Sequence, residues 1–93
     1  KDIAPQEGTR FCVTMAGSVE ARTAFDPILS DLSAIDTTDG TRLSLSDGSI
    51  VHFRQSGNAP ELRCYVETGT GKATDRLLET MITRLEQQFG RKE

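Results

Sequence analysis

The sequence predicts an α+β domain, an antiparallel sheet of about four strands with two helices on one face. Three observations carry this expectation. Apolar and polar residues alternate on both sides of Asp47-Gly48, as in a hairpin. A further alternating run follows at about 61–67. Residues 71–89 then carry an apolar stripe at helical spacing. At 93 residues the chain suffices for one domain with a modest core.

Taken in order, residues 1–8 are polar, contain Pro5 and Gly8, and read as a leading linker to a domain over 9–93. The alternation of Phe11, Val13 and Met15 with Cys12 and Thr14 predicts a strand over 10–15. Phe25, Ile28, Leu29 and Leu32 recur at helical spacing, with Asp26 as N-cap and Pro27 at the first position. A short helix is expected from about 26 to 33, with part of 18–25 also helical. "SAIDTT" reads as a short strand leading to an Asp39-Gly40 turn.

In the hairpin, Leu43 and Leu45 share an apolar face with Val51 and Phe53. Strand parity then sends Ile50, His52 and Arg54 to the opposite face. In the run at 61–67, Leu62, Cys64 and Val66 share one face, and Arg63 and Tyr65 the other. Between the two runs lies the loop Gln55-Ser56-Gly57-Asn58-Ala59-Pro60, ended by a residue that cannot donate to a central ladder. The last helix should run from an N-cap at Thr70 to a stop at Gly90. Leu77, Leu78, Met81, Ile82, Leu85 and Phe89 would face the sheet, and Asp75, Glu79, Thr83 and Glu86 the solvent.

Composition narrows the function classes. A net charge of −3 argues against wrapping nucleic acid, so any anion site must be local. No apolar run approaches the roughly 20 residues of a membrane span. The opening "KDIAPQEG" has neither the pattern of a signal peptide nor an initiator Met, and a piece of a longer chain is expected. Cys12 and Cys64 read as free thiols of a cytoplasmic protein, with a disulfide left open. One histidine, His52, leaves little for a metal site.

The loop is the candidate site. A phosphate takes charge-assisted donors, and arginine offers several in a planar fork. Arg54 enters the loop and Arg63 follows it. Ser56, Asn58 and backbone N–H groups can meet other oxygens, and Gly57 lets the backbone come close. An ordinary polar turn with flanking arginines is the plain alternative. "GTGK" at 69–72 is no P-loop: Val66 and Ala73 stand where that motif has its first Gly and its Ser or Thr. Asp39-Gly40 and Asp47-Gly48 lack the cluster of acids a hard cation takes, and read as turns. His52 with Glu61 or Glu67 is better read as a hydrogen-bonded strand histidine than as an acid–base pair.

The stretch "DGSIVHFRQSGNAPELRCYVE", residues 47–67, resembles the C-terminal, fourth domain of the α-D-phosphohexomutases of phosphomannomutase and phosphoglucomutase type. In that family an Asp-Gly turn leads into a strand ending in Arg. Ser-Gly or Ser-Asn, a short polar stretch and Pro follow, then a strand with Arg and Glu, then a closing amphipathic helix. The resemblance is strong over about half the chain. It implies a TATA-box-binding-protein-like architecture and a mobile lid over hexose 1-phosphates and 6-phosphates. Such enzymes work through a phosphoserine and a bisphosphorylated sugar, which is their activator. The lid grips the phosphate that is not transferred. Carried to this chain, Arg54, Ser56, Gly57 and Asn58 would line that site, and Arg63 would orient the loop or add charge. Ala59 departs from the acidic or hydroxylic residue of other members, so no side-chain contact carries over there.

The family's Ser-His loop and its Asp-Gly-Asp magnesium loop do not occur in these residues. The resemblance therefore implies partners in other domains of the same enzyme, magnesium bound elsewhere, and a chain inactive alone. The rivals are a stand-alone anion- or nucleic-acid-binding module and a structural domain whose loop is only a turn.

Overall fold

Three helices and four antiparallel strands make an α+β fold in which helices cover one sheet face. The computed structural model of the chain describes residues 5–55 and 62–89. The elements are α1 (Pro5–Gly17), α2 (Val19–Phe25), a 3-10 turn (Pro27–Ser30), β1 (Leu32–Asp36), β2 (Thr41–Leu45), β3 (Ile50–Gln55), β4 (Leu62–Glu67) and α3 (Gly71–Gln88). The sheet order follows the chain, β1-β2-β3-β4.

The expected strand over 10–15 is instead the middle of α1. Its alternation was incidental to a helical stripe. Gly8, Phe11, Cys12 and Met15, at i, i+3, i+4 and i+7, are the buried positions, while Val13 is 66% exposed. The helix begins at Pro5, inside the stretch expected as a linker. The expected helix over 26–33 shrinks to the 3-10 turn, and helix forms ahead of it as α2. Asp26 ends α2 through its backbone and caps the turn, its Oδ1 accepting from Ile28 N at 3.0 Å. Past Ser30, pairing wins over helical propensity. The Asp31 carbonyl accepts from Ser46 N, and Leu32 takes its place opposite Leu45.

The Asp47-Gly48 hairpin forms as expected. Gly48 has φ +94°, Asp47 Oδ1 accepts from Ser49 N at 2.8 Å, and Leu43 lies opposite Val51. Thr70 caps α3, its hydroxyl accepting from Ala73 N at 3.0 Å. Leu77, Met81 and Leu85 are buried, whereas Ile82 at the stripe's edge is 40% exposed.

α1 and α3 pack on the inward sheet face, and α2 packs on α1. The core joins Phe11, Met15, Phe25 and Leu29 to Leu43, Leu45, Val51 and Phe53, and to Met81 and Leu85 of α3. Phe11 meets Phe25, Phe53 and Phe89 with ring centroids 5.0–5.7 Å apart, so the four phenylalanines form one cluster. Arg22 crosses this layer buried. Its Nη1 donates to the Met15 and Ala16 carbonyls and its Nε to the Leu29 carbonyl, satisfying groups at the end of α1. Arg84 of α3 donates to Asp26 Oδ2 at 3.0 Å and ties that helix to the turn.

Candidate functional site

Among the described residues no helix packs on the outward sheet face, and its basic side chains gather toward one end. Parity along β3 points His52 and Arg54 outward, and parity along β4 does the same for Arg63 and Tyr65. The β3–β4 register sets Arg54 opposite Arg63 and His52 opposite Tyr65. Arg42 of β2 stands opposite His52 on the other side. Two arginines expected from sequence to flank one loop are thus direct cross-strand neighbours. Ser56, Gly57 and Asn58 lie outside the described residues, as do Ala59 and Pro60. The ends of their segment are brought together by the pair Gln55↔Leu62.

Like charges directly opposite one another destabilise a sheet. Here they are moderated from two sides. Asp39 pairs with Arg54, its Oδ2 3.0 Å and its Oδ1 3.3 Å from Nε. The Tyr65 hydroxyl is held below its ordinary ionisation range, first by a hydrogen bond with Arg63 and that residue's charge, then by Arg54. One phenol therefore feels both guanidinium groups.

The Asp39-Gly40 turn is clamped to β3. His52 Nε2 lies 2.6 Å from the Asp39 carbonyl, an acceptor only, so this nitrogen carries the proton. Gly40 has φ +74°, and a Cβ there would overlap the Phe53 carbonyl oxygen and stand 3.0 Å from Arg54 Cα. Glycine is needed twice over, for the dihedral and for the close approach. On the inward side, Gln55 lies against Gly8 of α1, where a Cβ would overlap its side chain. Cys12 Sγ reaches the Phe53 carbonyl at 3.7 Å, and Thr41 Oγ1 donates to the Cys12 carbonyl at 2.6 Å. The strand that presents Arg54 is braced from both faces.

The larger concavities suit an anion less well. A groove of about 560 Å³ between α1 and the 37–41 turn includes Gln55 but has no charged residue in its lining. Another, of about 430 Å³ beside the start of α3, carries Asp26 and Asp47 against a single cation, Arg76, so its net charge opposes an anion. Among the described residues, no group of three or more His, Cys, Asp and Glu stands where it could hold a metal, and no helix is long and apolar enough to cross a membrane. Cys12 and Cys64 are free thiols, the first buried and the second half-buried. His52 makes the strand hydrogen bond expected of it.

Sequence reading missed Asp39 and Tyr65 as parts of this cluster. A signal existed for both. Extending the hairpin pair Thr41↔Phe53 by one residue puts Gly40 opposite Arg54 and brings Asp39 alongside. Parity already placed Tyr65 on the face of Arg63.

The comparisons with known proteins agree in direction. The family described as phosphoglucomutase/phosphomannomutase, C-terminal domain, matches residues 12–84. A phosphomannomutase of Salmonella muenchen is 41% identical over 56 residues, 60% of this chain and 12% of the relative. A phosphomannomutase of Sinorhizobium fredii (strain NBRC 101917 / NGR234) is 51% identical over 47 residues, 50% of this chain and 10% of the relative. A phosphopentomutase of Thermococcus kodakarensis is 38% identical over 50 residues, 54% of this chain and 11% of the relative. The matched part of the chain thus spans about a tenth of each relative's length.

Proposed function

The chain belongs to the phosphoglucomutase/phosphomannomutase C-terminal domain family, and on that premise we propose that it is the lid of a phosphohexomutase and grips the substrate's non-transferred phosphate. The observation that carries this is the cross-strand pair Arg54 and Arg63, with Tyr65 on the same face beside them, at the strand ends that flank residues 56–61. Two facing guanidinium groups concentrate positive charge and planar donors at one spot, and a phosphate accepts from both. Ser56, Gly57 and Asn58 would complete the set with a hydroxyl, an amide and close backbone N–H groups.

The relatives' names differ in the sugar, mannose in two and pentose in one, and share the phosphate. Phosphate is therefore the feature this domain recognises, and the choice of sugar is made by other domains of the enzyme. Hexose 1-phosphate or 6-phosphate is the expected ligand, with a hexose bisphosphate as activator. The sequence has no Ser-His loop and no Asp-Gly-Asp loop, so phosphoserine and magnesium chemistry belong to those other domains, in the cytoplasm. This chain binds, orients and closes over a reactive phosphoenzyme, excluding water. Alone it is inactive as a mutase.

The test is a titration of the chain with mannose 1-phosphate, glucose 1-phosphate and inorganic phosphate, followed by backbone amide shifts. Weak binding is expected, since the sugar's other contacts are absent. Shifts should centre on Arg54 to Asn58 and vanish in Arg54→Ala. Shifts elsewhere, or none at millimolar ligand, would favour a structural role. Turnover by the chain alone would overturn the division of labour.

A further inference from the structure

We infer that Asp39 is the positioning residue of the anion site: it holds Arg54 by its Nε edge so that the two terminal nitrogens face the ligand. This rests on the phosphate-binding reading above and adds to it a residue outside the segment that carries the resemblance.

The geometry is specific to that edge. Both Asp39 oxygens lie on Nε, at 3.0 and 3.3 Å, so the carboxylate does not take up the terminal nitrogens, which an anion can share with the Tyr65 hydroxyl. The backbone that bears the carboxylate is itself held in place. Its residue's carbonyl accepts from His52 Nε2 at 2.6 Å, and the following Gly40 packs on the backbone of Phe53 and Arg54. Asp39 is therefore mounted on the strand that bears its partner. Arg54 has a side chain 45% exposed, and an exposed arginine otherwise samples many rotamers. Immobilising it before the ligand arrives removes that cost from binding.

A competing effect has the opposite sign. A carboxylate near the site repels a phosphate dianion, so an Asp39 that merely occupied Arg54 would weaken binding. Two variants separate the effects. Asp39→Ala removes both the hold and the repulsion. Asp39→Asn removes the charge but keeps an oxygen that accepts from Nε.

The experiment titrates the chain and both variants with inorganic phosphate and follows the Arg54 Nε–H resonance together with the backbone amides. In Asp39→Ala the dissociation constant should rise about threefold to tenfold, the loss from ordering one rotamer-rich side chain on binding. Its Arg54 Nε–H signal should move to the exposed, fast-exchanging position even without phosphate. Asp39→Asn should restore affinity to within about twofold of the parent, because the hydrogen bond persists. An exposed pair of this kind adds little to stability, so melting temperatures should barely change.

Equal or tighter binding by Asp39→Ala overturns the inference, as does an unchanged Arg54 Nε–H signal. If Arg54→Ala still titrates like the parent, the phosphate site itself is wrong and the inference falls with it. If Arg54→Ala loses binding while Asp39→Ala keeps it, only the role of Asp39 fails.

Discussion

Replacing Gly40 by alanine tests the clamp that joins the β1–β2 turn to the strand bearing Arg54. Gly40 and Gly48 both have positive φ, +74° and +94°, and both close turns. They differ in space. Nothing lies within 4 Å of a Cβ built on Gly48, whereas one on Gly40 would overlap the Phe53 carbonyl and meet Arg54 Cα at 3.0 Å. Gly48→Ala should therefore cost only the left-handed conformation, about 1–2 kcal/mol. Gly40→Ala carries the same strain plus a backbone displacement of about 1–3 kcal/mol, together about 2–5 kcal/mol. A domain of this size has only about 5–10 kcal/mol of stability, and each kcal/mol moves the midpoint by about 4–8 °C. Thermal and urea unfolding followed by circular dichroism should thus place Gly40→Ala at least about 4 °C below Gly48→Ala. Gly8→Ala is the control. Its Cβ would push only a flexible side-chain end, that of Gln55, while helix propensity improves by about 1 kcal/mol. Equal melting of the Gly40 and Gly48 variants would refute the close approach.

Further perturbations probe the brace and the core. Arg22→Met keeps much of the stem's bulk but removes the donors to the Met15, Ala16 and Leu29 carbonyls. Unfolding in urea should show a loss of about 3 kcal/mol, and a loss below about 1 kcal/mol would mean that those carbonyls find other partners. Burial pushes the Cys64 thiol up from 9.0 to about 12. Its folded value lies above its unfolded one, so its contribution is complete below pH 9.0 and is lost as pH rises toward about 12. Stability in that window should fall by up to about 1.4 kcal/mol per pH unit for this thiol. Cys64→Ala should show a shallower alkaline slope than the parent, and parallel slopes would sink the assignment.

The candidate site was readable where strand parity governs it. A period of two is enough to put Arg54 and Arg63 on the outward face, opposite Val51 and Phe53. It does not say which residues of neighbouring strands face each other, and the pairing of Arg54 with Arg63 needed the register. Asp39 was read only as half of a turn, since its partner lies 15 residues away and no local pattern joins them. Arg22 was passed over for a similar reason. An arginine in a polar stretch reads as exposed until a second helix and the 3-10 turn close over it.

The sequence alone determined the α+β class, the Asp47-Gly48 hairpin, the strand after it and the closing helix capped by Thr70. In each of these, local propensity, hydrophobic period and turn chemistry agree. Tertiary structure decided residues 10–15 and 26–33. Five or six residues with apolar groups at 11, 13 and 15 fit a strand by parity, and at 8, 11, 12 and 15 they fit a helix. What separates the two is which side chains find a buried surface, and that surface is made by β2, β3 and α3 from elsewhere in the chain. Residues 31–32 likewise left the helix because β2 offered hydrogen bonds and Leu45 offered a partner. Short amphipathic segments carry two periods at once, and the rest of the fold chooses between them.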